Sequence, residues 1–137
     1  MAFAGVNYLA VIVAAVAAFV FGAVWYTTLG KYWLGACGKT PTDGPKTMPM
    51  GPLVLTFICQ LVMAWVLAGL IGHLGPSAIT LRDGAISGAF CWLGFVITAI
   101  AANYAFQGRP IALTVIDGGH WLGALVIEGA VIGAFGV

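Results

Sequence analysis

Residues 3–29 read FAGVNYLAVIVAAVAAFVFGAVWYTTL. The run carries no charged side chain, no Lys or Arg precedes it, and it is too long for the apolar part of a typical secretory signal. It reads as a retained membrane helix, because the hydrocarbon core of a bilayer takes about 20 apolar residues per helix.

Three further segments meet the same length. One runs from Pro52 to about Gly72, opened by a proline at a favoured first helical position. Another runs from about Leu81 to Ala105, with Thr80 and Asp83 in a capping-box-like spacing before its apolar run. The last runs from about Ile111 to Phe135, after Pro110. The expected fold is therefore all-α and integral to a membrane: one domain, 1–137, forming a four-transmembrane-helix bundle with helices at about 3–29, 52–72, 81–105 and 111–135.

Composition agrees. The chain has 137 residues, 62% hydrophobic and 7% charged, with a mean hydropathy of +1.08. A soluble domain carries roughly 25% charged residues to cover its surface. A net charge of +1 offers no electrostatic basis for binding nucleic acid. Cys37, Cys59 and Cys91 form no Cys-x-x-Cys pair and have no His neighbour, so they read as apolar filler. No cofactor or metal is expected.

Basic residues set the expected orientation. The first connection, Gly30 to Gly51, holds Lys31, Lys39 and Lys46 among Pro41, Pro45 and Pro49, and Tyr32 to Leu34 suggest an interfacial turn at its start. The third connection, a tight turn from Gln107 to Pro110, adds Arg109. The second, His73 to Ile79, turns at Gly75-Pro76, and Arg82 just beyond it lies beside Asp83. The positive-inside rule places the Lys- and Pro-containing loop in the cytoplasm and both termini outside. Trp25, Tyr26 and Trp33 read as an aromatic belt at that side.

In lipid, helices associate through close contact between small residues rather than through hydrophobicity. Ala10, Ala14, Ala18 and Gly22 form a ladder at four-residue spacing. Ala64, Ala68 and Gly72, Gly84 and Gly88, Gly119 and Gly123, and Gly129 and Gly133 offer the other helices similar grooves. A bundle of this size buries few side chains, so a homo-oligomer is expected.

Ionisable groups in a span are costly, by roughly 2.5–3.5 kcal/mol at the centre on insertion scales, and so nominate function. Asp117, His120, Trp121, Ala124 and Glu128 fall on one face of the last helix, at 100° per residue. Rising 1.5 Å per residue, Asp117 lies roughly 9 Å from the cytoplasmic start of the helix and Glu128 roughly 12 Å from its outer end. Gln60 sits at about the depth of His120 and Ser87 at about that of Glu128, and both are expected to face inward with the stripe. Each residue also has a plainer reading. Glu128 can tie helices together as a neutral group hydrogen-bonded to Ser87 or a backbone carbonyl. His120 can pack and hydrogen-bond. Asp117 can act as an interfacial cap or as partner of a cytoplasmic base.

The opening Asn7-Tyr8-Leu9-Ala10-Val11, the Ala-rich helix with Gly22, and Trp25-Tyr26 with Trp33 beyond resemble a bacterial family of small four-helix membrane proteins, catalogued as a domain of unknown function. Asp117-Gly118-Gly119-His120-Trp121 and Gly133 are compatible with it. The resemblance implies four spans and a bacterial inner (plasma) membrane. It brings no activity and no catalytic residues.

Three functions compete on this sequence. A small oligomeric channel or transporter would use Asp117, His120 and Glu128, with Gln60 and Ser87 nearby. An accessory subunit would use its grooves to dock in a larger membrane complex. A membrane enzyme is the weakest reading, since no metal-ligand spacing, nucleophile–base pair or phosphate loop is present. Asp117 with His120 would be its acid–base pair.

Overall fold

The computed structural model describes residues 5–40 and 49–136. Lys46, Pro41 and Pro45 of the first connection lie outside them. Four helices, each long and apolar enough to cross a membrane, make up the chain: α1 (Tyr8–Ala36), α2 (Met50–Leu74), α3 (Leu81–Phe106) and α4 (Ile111–Phe135).

The helix ends follow local chemistry. α1 starts at Tyr8 rather than Phe3, because Asn7 is extended and its side chain accepts from the Ala10 N–H. It runs on to Ala36 rather than stopping at Leu29, so Tyr32 to Leu34 continue the helix and form no separate turn. A single glycine, Gly30, weakens a helix by only about 1 kcal/mol. Thr80 caps α3: its hydroxyl accepts from the Asp83 N–H and donates to the Asp83 carboxylate, both at 3.0 Å. Gly75 and Gly108 turn the second and third connections at φ of +103° and +66°. Other side chains rarely adopt such values.

α4 is the hub, with contacts to each of the other three helices, while α2 and α3 barely meet. The interior is built from small residues. Ala10, Ala14, Ala18 and Gly22 line the buried face of α1. Tyr8, Ile12, Val16, Val20 and Val24 occupy its exposed face at the same four-residue spacing. A water-soluble bundle would invert this, burying large side chains and exposing small or polar ones. Where lipid is the solvent there is no gain in hiding the large ones, and the small ones let backbones touch.

The closest approach is between α3 and α4. A Cβ placed on Gly84 would run into the Gly129 carbonyl, one on Gly88 into the Leu125 carbonyl, and one on Gly133 into the Thr80 carbonyl. Gly119 and Gly123 work differently: they leave room for the rings of Trp25 and Phe21 rather than for backbone. Halfway along, α3 contains a π-turn, Trp92–Val96, that was not legible in the sequence. Before it the helix is locked to α4. After it, Ile97–Phe106 contain no buried residue, and the two helices draw apart.

The glycine contacts predict a sharp contrast. Gly84→Ala forces backbone against backbone and should lower stability by about 3 kcal/mol, the upper part of the range for overpacking. Gly30→Ala, with nothing within 4 Å of the added carbon, should be neutral or slightly stabilising. Denaturant titration of the two variants in micelles measures both; equal stability would show that the α3–α4 contact is looser than described.

Candidate functional site

The sequence stripe begins at Asp117, and the structure surrounds this residue with aromatic donors. The Tyr26 hydroxyl of α1 donates to one carboxylate oxygen at 2.7 Å, and the Tyr104 hydroxyl of α3 donates to the other at 2.6 Å. The Trp25 indole N–H donates to the Ile116 carbonyl at 3.1 Å, and that of Trp92 to the Gly118 carbonyl at 2.8 Å. Four side chains from two helices thus converge on three consecutive residues of α4. Asp117 is not a helix cap, and among the described residues it pairs with no base. Trp25 and Tyr26 likewise turn inward to α4 instead of lying in an outer belt. Buried Tyr and Trp need acceptors for their polar ends, and in an apolar medium only protein groups can provide them. Arg109 stays outside this cluster, donating to the Gln107 side chain at 2.6 Å and lying over the Tyr104 ring.

One turn further along α4, His120 is 3% exposed and caged by rings. Its centroid lies 5.0 Å from Tyr26, 4.6 Å from Trp121 and 6.2 Å from Phe21, the last nearly parallel to it. On α1 it faces Gly22, where a Cβ would stand 2.7 Å from Nε2. The last rung of the small-residue ladder is therefore the seat of the imidazole. Asp117 and His120 do not form a hydrogen-bonded pair through Nδ1, which has no partner among the described residues. Both Asp117 oxygens are held by tyrosines.

Beside His120 a cavity of about 530 Å³ opens between α1, α2 and α4, lined among others by Phe19, Tyr26, Gln60, His120 and Trp121. Gln60 is 0% exposed, and neither its amide oxygen nor its nitrogen has a hydrogen-bond partner among the described residues. The shared depth of Gln60 and His120 is thus a shared cavity.

Glu128 lies two turns beyond His120, roughly 12 Å along the helix. It is 0% exposed, and neither carboxyl oxygen has a partner among the described residues. Ser87, the expected partner, is elsewhere: its hydroxyl donates to the Asp83 carbonyl of its own helix at 2.8 Å, and it lines a groove with Leu70 and Phe90. That bond uses the one proton a serine hydroxyl can give, and among the described residues Ser87 makes no hydrogen bond to Glu128. The backbone contact of Gly84 and Gly88 with α4 explains the separation. It brings the glycine face of α3 to Glu128's helix and turns Ser87 away.

The site thus divides into the Asp117 cluster, the Gln60–His120 cavity and the isolated Glu128 carboxyl. Tyr104 and Trp92 were not singled out in the sequence. Their spacing to Asp117 carries no motif, and the only signal was their need for an acceptor. Among the described residues no group of three His, Cys, Asp or Glu could hold a metal ion, and Cys37, Cys59 and Cys91 are free.

No curated protein and no solved structure matches the chain. Residues 9–133 match a family described as a protein of unknown function (DUF1761). That match spans all four helices and nearly the whole chain, and the protein belongs to this family.

Proposed function

We propose that the protein is an integral membrane protein that moves protons or small polar solutes along the polar face of α4. The observation that carries this reading is that Gln60, His120 and Glu128 are buried with five side-chain atoms that have no hydrogen-bond partner among the described residues. A buried donor or acceptor left unsatisfied costs about 1–3 kcal/mol, and intramembrane ionisable groups mark ion and proton pathways. A bundle selected only for stability would replace such groups with Leu or Met at no loss of packing.

The three tiers have different parts in this reading. The Asp117 cluster is satisfied and rigid, and it orients α4 against α1 and α3. The Gln60–His120 cavity receives the solute or water. Glu128 is the deep exchange group, alternately binding and releasing a proton or cation as the helices adjust. The Lys-bearing side faces the cytoplasm, both termini face outward, and Asp117 lies toward the cytoplasmic end. A second copy of the chain covers the outer half of the splayed Ile97–Phe106 segment, making the working unit a homo-oligomer.

Proteoliposomes with a pH-sensitive dye in the lumen test the reading directly. Glu128→Gln, which keeps shape but cannot ionise, should lower proton flux at least tenfold; flux equal to the unmodified protein would remove Glu128 from any pathway. Glu128→Leu should abolish flux yet raise stability by about 1–3 kcal/mol, since it deletes an unpaired buried group. Asp117→Asn should act the opposite way. It presents an N–H₂ donor to one tyrosine hydroxyl, and should lower unfolding stability by about 1–3 kcal/mol, as should Tyr26→Phe and Tyr104→Phe to a smaller extent. A double-mutant cycle between Asp117 and Tyr104 that shows no coupling would contradict the cluster.

A further inference from the structure

The cavity between α1, α2 and α4 has a chemistry that restricts what it can hold. Among the described residues no Asp, Glu, Lys or Arg lines it, so none of them holds an occupant by charge. Two of its polar lining groups are already engaged. The Tyr26 hydroxyl donates to Asp117, and the Thr56 hydroxyl donates to the Pro52 carbonyl at 2.7 Å. Among the described residues the Gln60 amide and His120 Nδ1 have no partners, on side chains that are 0% and 3% exposed. An amide offers both a donor and an acceptor, and a neutral imidazole nitrogen offers either, according to tautomer. Around them stand the aromatic side chains of Phe19, Tyr26 and Trp121. About 530 Å³ is in the range of pockets that enclose small molecules.

The entrance is equally informative. Ala23 and Thr27, which also line the cavity, are exposed on the side of the bundle. In a chain that spans a membrane, this side faces hydrocarbon, so the occupant arrives by dissolving in lipid. That step rests on the membrane reading above, but not on transport.

We propose that this cavity binds the ring of a neutral, lipid-soluble quinone. A planar ring fits between these aromatic side chains. Its carbonyl oxygens accept from Gln60 and His120, and the same two side chains can accept from the hydroxyls of the reduced form. The unpartnered atoms, which have no accessible surface as the cavity stands, turn toward the ring when it enters and become its hydrogen-bonding groups.

The test uses protein incorporated into phosphatidylcholine nanodiscs, with menadione as probe and 2-methylnaphthalene as a comparator of similar ring and no carbonyl. Saturable quenching of tryptophan fluorescence by menadione, or its competition against the comparator, gives the affinity. Gln60→Leu and His120→Leu should each weaken menadione binding roughly three- to tenfold, the worth of one hydrogen bond, and leave 2-methylnaphthalene unchanged. Gln60→Leu removes two unpaired buried atoms, so its loss of binding would not reflect unfolding. Ala23→Phe, which plugs the entrance from an exposed position, should abolish menadione binding with the fold intact. Menadione that partitions without saturating, binds Gln60→Leu as tightly as the unmodified protein, or binds no better than 2-methylnaphthalene would overturn the proposal and leave the cavity as a seat for an acyl chain. Failure of the chain to enter nanodiscs would overturn it together with the membrane reading. Loss of proton flux alone would not touch it, because binding is read without a gradient.

Discussion

The carboxylate of Asp117, held between the hydroxyls of Tyr26 and Tyr104, is the constraint around which the bundle is organised. It joins three helices at one depth. The indoles of Trp25 and Trp92 close on the carbonyls either side of it. At 2.7 and 2.6 Å these bonds lie at the short end of the O–H···O range, and a low local dielectric strengthens each of them. Small-residue contacts bring helices near each other but tolerate sliding by a turn. A carboxylate with two tyrosines and two flanking indoles does not, because each donor would lose its only acceptor. The cluster therefore sets the register of α4 relative to α1 and α3.

The π-turn of α3 makes that geometry available. Up to Gly88 the glycines of α3 press against α4 backbone to backbone, each step along one helix matching an equal step back along the other. A regular helix would carry this contact to its end and leave no space for large rings. The extra residue of the π-turn breaks the register, lets Trp92 reach the Gly118 carbonyl, and swings the following turns outward. Tyr104 then returns across the gap with its hydroxyl on Asp117. π-turns recur at functional sites because they reposition side chains at small cost to the helix, and this one separates a tightly packed half of the bundle from an open one.

Against this well-satisfied cluster stand Gln60, His120 Nδ1 and Glu128, buried and without partners among the described residues. The contrast lies within one helix: Asp117 has two donors, whereas Glu128 has none among those residues. Polar groups in such surroundings lower stability unless something transient completes them, whether a proton, a solute or a ring from the lipid. The glycine at position 22 belongs to the same arrangement, since any larger residue would displace the imidazole that faces the cavity.

Four long apolar helices, the Thr80–Asp83 cap and the clustering of polar residues on one face of the last helix could be read from the sequence, whereas the ends of α1, Tyr8 and Ala36, could not. The legible features depend on local periodicity, residue size and transfer from water, which act over a few neighbouring positions. The partners of those polar residues could not be read there. Whether Ser87 meets Glu128 depends on which side of α3 its glycines turn to α4. Whether Tyr104 meets Asp117 depends on one extra residue in a helical turn. Whether Gln60 lies beside His120 depends on the packing of α1 against both. Each of these is set by the relative rotation and register of whole helices. Backbone contacts and a few directional hydrogen bonds decide them, and neither leaves a periodic trace in the chain.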